Sequence, residues 1–176
     1  KALLESFSRE LNRFQDSEAV VIEYASSGNI MLEDQSTSWD AVLHVASLET
    51  TENSLSSSDS VLKVLHILHK LHAAGKPIPT FRIVTNNVCS VNAGGDSGSS
   101  ENGSGLWGLI KCASLEMQWS NLGCIDISIS DDPKLVGTFL AREISTFPKG
   151  SSSSNCAFRN GTKYSEQFEI TAPNNF

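Results

Sequence analysis

The feature that most constrains the fold is an alternation of two hydrophobic patterns along the chain. Segments such as "AVVIEYA" (19–25) and "LGCIDISIS" (122–130) are rich in β-branched residues and lack a helical period, which predicts short strands. Segments such as "VLKVLHILHKLHAAGK" (61–76) repeat apolar residues along one face, which predicts amphipathic helices. Because strands that alternate with helices build a mostly parallel sheet, we expect an α/β domain.

The predicted elements follow one another from a first helix to a closing hairpin. They are a helix near 3–14, strands near 19–25, 39–47, 80–87 and 122–130, and helices near 61–76, 106–119 and 132–145. "CAFRNG" and "TKYSEQFEIT" predict two further strands joined at Asn160-Gly161, the dipeptide that suits a tight turn. The length of 176 residues suits a single domain over 1–176. Polar, Ser- and Gly-rich runs near 50–58, 92–104 and 149–154 predict mobile loops.

Charge and cysteine usage narrow the class of partner. The formal net charge of −7 argues against a nucleic-acid or anionic-membrane surface, and no apolar run approaches a membrane helix. The four cysteines are widely spaced, which favours buried free thiols and a cytoplasmic location. A secreted, adhesion-like domain is the alternative, since Asn102 and Asn160 begin formal glycosylation sequons.

The stretch "GSGLWG" (103–108) matches the G-x-G-x-x-G pattern that cradles a dinucleotide pyrophosphate. That pattern works where the first glycine follows a strand closely, whereas here a long polar run separates Gly103 from the strand that ends near Asn86. We therefore interpret Gly105 and Gly108 as residues of helix entry and close helix–sheet packing. The alternative is a free-standing nucleotide-binding reductase that uses "GSGLWG" with Asp126, an acid about 20 residues further on.

No catalytic or metal-binding constellation is predicted. His44 lies in a buried strand and suits a hydrogen-bonded core residue, and His66, His69 and His72 drift round the edge of a helix without a third ligand type. Neither Tyr24 nor Tyr164 is followed four residues later by the lysine of a short-chain reductase, and no G-x-S-x-G elbow or P-loop occurs.

Several segments together resemble the ketoreductase region of modular polyketide synthases and related fatty acid synthases. "SGLWGLIKCASLEMQWSNLGCIDIS" is similar to that family's "LWGLGR…ALE…" helix and "LIDL" strand, and "WDAVLHVASLE" to its "D.VVHLWSLD" strand. "FRIVTNNV" resembles "RLWLVTRGA", and "AFRNGTKYSEQFEI" resembles the closing "AYR.G.RYV.RL" hairpin. The segments occur in the family's order over residues 1 to 171. Ile110 and Lys111 depart from the pattern, where Gly and Arg are usual.

The resemblance implies a truncated Rossmann-like structural half that carries no catalytic residues, no cofactor and no metal. It would support a separate catalytic subdomain that binds NADPH and reduces β-ketoacyl groups on an acyl carrier protein, beside other domains of the same synthase. The degenerate pseudo-ketoreductase found beside a methyltransferase region is equally consistent with it. Whether the chain belongs to an active enzyme stays open.

The terminal hairpin is the predicted contact with the partner subdomain, because an edge strand is either protected or used for association. Tyr164 and Phe168 share one side of that strand at period two and suit such a contact.

Overall fold

The computed structural model describes residues 2–14, 41–45, 57–73, 79–91, 101–119, 121–146 and 155–166. The predicted strand at 19–25 lies outside these ranges. The described elements, in chain order, are α1 (Ala2–Phe14), β1 (Ala41–His44), α2 (Ser57–Ala73), β2 (Thr80–Asn86), α3 (Glu101–Glu116), β3 (Leu122–Ile127), α4 (Pro133–Thr146), β4 (Cys156–Arg159) and β5 (Thr162–Ser165).

The strands form one sheet in the order β1-β2-β3-β4-β5. The neighbours from β1 to β4 run parallel, and β5 runs antiparallel to β4. β3 is buried along its whole length, as an apolar strand covered on both faces should be. The predicted α/β fold, with a mostly parallel sheet flanked by helices and a C-terminal antiparallel hairpin, is confirmed.

Helices cover both faces of the sheet. Alternate residues of each strand point to opposite faces, so Ile83 packs in one core and Val84 in the other. The first core contains α2 and α3, with Leu68 and Leu106 fully buried against the sheet. The second contains α1 and α4, with Leu140 at its centre.

α4 lies on the opposite face of the sheet from α2 and α3, and this determines the handedness of the crossover that contains it. From β1 to β4 each strand lies beside the one before it, always on the same side. α2 and α3 make the first two crossovers over one face, whereas α4 makes the third over the other. The β3–α4–β4 connection therefore has the opposite hand to the two before it, which departs from the usual uniform handedness of parallel crossovers.

The contact between α1 and α4 depends on small residues. Gly137 of α4 is buried, and a Cβ built there would lie 2.7 Å from Ser6 Oγ and 2.8 Å from the backbone nitrogen of Phe7. The two helices thus approach backbone to backbone at this point. This close approach brings Phe7 into the second core.

The closing hairpin has the predicted two-residue turn. Asn160 and Gly161 have φ of 49° and 81°, the left-handed values that a type I′ turn requires at both central positions. β4 packs on α4 through Phe158, whose ring stacks on Phe139 with centroids 4.3 Å apart. Lys163 Nζ donates to both carboxylate oxygens of Glu143 at 2.7 and 2.8 Å, which joins β5 to the same helix.

Two helices begin earlier than predicted. α2 begins at Ser57 and α3 at Glu101, so the ends of the predicted loops 50–58 and 92–104 are helical. In α3 the glycines disfavour a helix, yet Gly103 is buried at the end of β2, and a Cβ on it would lie 2.3 Å from Val88 Cγ2. Tertiary packing therefore overrides propensity in this turn. The remaining loop positions, and residues 149–154, lie outside the described part of the chain.

Each described helix is too short or too polar to cross a bilayer.

Candidate functional site

The carboxyl ends of β2, β3 and β4 meet at one edge of the sheet, which is where α/β proteins hold their ligands. Thr85 and Asp126 are register partners near the ends of β2 and β3, and Arg159 ends β4. All three are buried on the face that α3 covers. We call these residues, together with Trp107 of α3, the Asp126 cluster.

Asp126 is the centre of the cluster and is fully buried. Its carboxylate accepts hydrogen bonds from Thr85 Oγ1 at 2.6 Å and from the backbone nitrogens of Val88, at 3.0 and 3.1 Å, and Cys89, at 3.0 Å. A buried carboxylate is stable only where donors replace its lost hydration. Asp126 therefore fixes the turn that follows β2.

Arg159 supplies the countercharge. Its Nη2 pairs with Asp126 Oδ2 and also donates to the carbonyl oxygen of Cys89 at 3.1 Å. Nη1 donates to the carbonyl oxygens of Asp126, at 3.0 Å, and Phe158, at 2.9 Å. This planar guanidinium holds β3, β4 and the turn after β2 together.

Trp107 closes the cluster from the helix side. Its Nε1 donates to Thr85 Oγ1 at 3.0 Å, and the same hydroxyl donates to Asp126. Lys111 Nζ lies over the indole ring, 5.9 Å from its centroid. The buried side chains of the Asp126 cluster thus make their contacts with one another and with the backbone at this edge.

The glycines of "GSGLWG" lie inside α3 and not in a turn between strand and helix. Gly105 and Gly108 are exposed, and a Cβ on Gly108 would meet no atom within 4 Å. The interpretation of these two as helix-entry and close-packing residues is therefore wrong. Gly103 is the glycine that packs against the sheet, because it meets Val88 and Thr85.

A dinucleotide site also needs a crevice where the strand order reverses. Among the described strands the order runs in one direction from β1 to β5. Asp126, the candidate fingerprint acid, is occupied by Arg159 and by backbone donors. The positions of the glycines and of this acid do not give the geometry that the fingerprint requires.

All four cysteines are free thiols. Cys124 and Cys156 are buried as predicted, while Cys112 is exposed on α3, contrary to the expectation that it is buried. Burial raises the pKa of Cys89 and of Cys156 to about 11, and raises that of Cys124 well above its usual range. These three thiols are held protonated and are poor nucleophiles.

The histidines do not assemble into a site. His44 ends β1, and its Nε2 is buried without a hydrogen-bond partner in the described structure. Burial, with a contribution from Lys63, lowers the pKa of His44 to about 4. His66, His69 and His72 are exposed on α2, a more solvated setting than the predicted edge of its apolar face, and His72 lies against Trp119 with ring centroids 5.7 Å apart. Among the described residues no group of three or more His, Cys, Asp or Glu could hold a metal ion.

The predicted partner contact lies on β5. In the described sheet β5 pairs with β4 alone, and Tyr164 is half-buried opposite Ala157. Phe168, the second predicted contact, lies outside the described residues, as does Tyr24.

Glu166 follows β5 and ties it to the rest of the domain. It pairs with Lys111 Nζ and accepts from Asn155 Nδ2 at 2.9 Å. Burial opposes its ionisation, but the hydrogen bonds from Lys111 and Asn155 outweigh that effect and lower the pKa of Glu166.

The two formal glycosylation sequons, which begin at Asn102 and Asn160, lie in different structural elements. Asn102 lies in the first turn of α3, while Asn160 is exposed at the tip of the hairpin.

The chain has little detectable similarity to known proteins. No family model and no curated protein matches the chain. Among solved structures it is similar to a short chain dehydrogenase from Mycobacterium avium, with 14% sequence identity and a TM-score of 0.49 over 77% of this chain and 56% of that one. The chain thus spans little more than half the length of that dehydrogenase. A likeness of this size carries no information about chemistry.

Proposed function

We propose that this chain is a non-catalytic structural subdomain of a polyketide or fatty acid synthase ketoreductase, and that it supports a separate, NADPH-binding catalytic subdomain. The observation that carries the proposal is the Asp126 cluster. A nucleotide-binding domain has a crevice at this edge of the sheet. Here, instead, Asp126 and Arg159 form hydrogen bonds with each other, with Thr85 and with backbone groups. The resemblance of the sequence to the ketoreductase region supplies the identity of the partner.

The hairpin is the surface through which the subdomain acts. β5 is the last strand of the described sheet, and its side chains point alternately to α4 and to the α3 face. Lys163 forms an ion pair with Glu143 of α4. Tyr164 points to the opposite face of the sheet and is half-buried, so part of its ring is accessible to a partner. An edge strand beside an aromatic side chain can extend into the sheet of a neighbouring domain or pack against it.

NADPH binding by the chain itself is the first test. At about 100 times its dissociation constant, a bound ligand stabilises the folded state by roughly 2.7 kcal/mol. We expect thermal unfolding of the chain to be unchanged by excess NADPH. A saturable shift, abolished by Gly108→Ala, would support the alternative of a free-standing nucleotide-binding reductase and would overturn the proposal.

The second test concerns the hairpin within a synthase. The double variant Tyr164→Ala/Phe168→Ala should lower NADPH-dependent ketoreduction and the recovery of the catalytic subdomain in folded form. Leu115→Ala is the control, because Leu115 is 79% exposed on α3 and is not part of the hairpin. Unchanged reduction and unchanged folding of the partner in the hairpin variant would count against the proposed contact. Loss of partner folding without any reduction in the wild type would identify a pseudo-ketoreductase.

A further inference from the structure

α2 has one buried apolar face and, on the opposite side, two exposed leucines. Val64, Leu68 and Leu71 are buried in the first core. On the opposite side of the helix Leu62 is 61% and Leu65 is 47% exposed. His66 and His69 are exposed beside them, which completes the spacing i, i+3, i+4, i+7 of a single helix face. We call Leu62, Leu65, His66 and His69 the outer row of α2.

The charge around the outer row differs from that of the whole chain. The chain has a formal net charge of −7. α2, by contrast, has one acid, Asp59, in its first turn and two lysines, Lys63 and Lys70, while its three histidines are neutral in that count. The formal charge of α2 is therefore +1, from two lysines and one acid, so a partner of acidic character would meet less repulsion here than the net charge of the chain implies.

Other exposed apolar residues lack this setting. Leu135 of α4 is 49% exposed, but Asp131 and Asp132 lie just before its helix. Leu115 of α3 stands next to Glu116 and has no second exposed leucine on its helix. Single exposed leucines are ordinary, whereas two leucines at helical spacing, with a lysine beside the row, are suited to recognition.

We propose that the outer row of α2 binds an amphipathic helix of a partner protein, with leucine-type residues on its apolar face and acidic residues beside them. The partner's apolar side chains would cover Leu62 and Leu65, and its carboxylates would face His66, His69 and Lys70. A second copy of this chain fits less well, because each copy brings a net charge of −7 and the same lysine beside the row. This inference is independent of the proposed function.

The probe is a fluorescein-labelled synthetic peptide of about 20 residues, long enough to form a helix, with leucines at i, i+3, i+4 and i+7 and glutamates on the flanks. A matched peptide has lysine in place of every glutamate. We expect anisotropy titrations with the full chain to show at least about tenfold tighter binding of the glutamate peptide, and weaker binding as salt is added.

Variants place the binding on α2. Leu62→Glu/Leu65→Glu should reduce the affinity for the glutamate peptide by at least about tenfold, and Lys70→Glu by a smaller factor. Leu135→Glu is the matched control, since Leu135 and Leu65 are almost equally exposed. Urea unfolding of each variant confirms that it is folded before it is titrated.

Three results would overturn the proposal. The first is equal affinity for the lysine peptide, which would mean that charge does not select the partner. The second is an equal loss of binding in Leu135→Glu, which would place the contact elsewhere. The third is self-association in sedimentation that Leu62→Glu/Leu65→Glu abolishes, which would make the outer row a contact between copies of this chain.

Discussion

Three buried charged residues, Asp126, Arg159 and Arg82, lie in mostly apolar strands, and their contacts are of two kinds. Asp126 and Arg159 pair with each other. Arg82 is 2% exposed and donates from Nη1 to the carbonyl oxygen of Asn121 at 3.1 Å, in space that Gly123 leaves open. Burial lowers the pKa of Arg82 to about 10. An acid in "CIDISIS" and an arginine in "CAFRNG" are visible in the sequence, and opposite charges in two apolar strands were the available signal for the pair.

His44 should make stability depend on pH. Its pKa is lowered from 6.5 to about 4, so the unfolded chain binds the proton more tightly than the folded one. The stabilisation is complete above the unfolded pKa and is lost as the pH falls from about 6.5 towards about 4. Between about pH 7.5 and about pH 5 we expect urea unfolding to show a loss of about 1 to 2 kcal/mol from this group.

The variant His44→Leu should remove that part of the pH dependence. His69→Leu, a substitution of an exposed histidine on α2, is the matched control and should leave it in place. If His44→Leu loses as much stability in acid as the wild type does, the dependence arises from other groups.

At the scale of elements, the glycines decide how closely helices approach their neighbours. Gly137 allows α4 to meet the backbone of α1, and Gly103 allows the first turn of α3 to reach the end of β2. Gly108 lies in the same helix as Gly103 and touches nothing on its open side. The three residues look equivalent in sequence and differ only in what packs against them.

Substitution of two of these glycines by alanine should therefore change stability in opposite directions. Gly108→Ala should stabilise the protein by about 0.5 to 1 kcal/mol, because alanine is the better helix former and the site is open. Gly137→Ala should destabilise it by about 1 to 3 kcal/mol, because the new Cβ would lie 2.8 Å from the backbone nitrogen of Phe7.

Urea unfolding of the two variants measures both effects, and each variant serves as the control for the other. A neutral or stabilising Gly137→Ala would mean that α1 can move away from α4 at little cost.

At the scale of the whole molecule, the hairpin is joined to the sheet by few backbone contacts and several side-chain contacts. β3 and β4 are register partners only at Ile125–Cys156 and Asp126–Ala157. Side-chain links include Arg159 to Asp126, Asn155 to the backbone nitrogen of Cys124 at 3.0 Å, and Lys163 to Glu143. The buried pair should matter most among these, since exposed ion pairs contribute little.

Arg159→Met should therefore destabilise the domain by about 3 to 5 kcal/mol, because it leaves Asp126 charged and buried without its partner. Lys163→Met, which breaks an exposed pair, should cost about 1 kcal/mol or less. Hydrogen exchange in Arg159→Met should speed up first at β4, β5 and the turn after β2, where Arg159 makes its contacts. Uniform acceleration across all strands would show that the hairpin does not open separately from the sheet.

The sequence by itself determined the order and type of the described elements, from the amphipathic α1 to the Asn160-Gly161 hairpin, because periodicity and turn chemistry are local properties. Only the tertiary structure decided that Gly103 packs where Gly105 and Gly108 do not, that α4 changes face, and that Asp126 meets Arg159. Those outcomes depend on atoms brought together from positions far apart in the chain, 33 residues apart for the ion pair, and no pattern within one segment specifies which distant neighbour will fill the space.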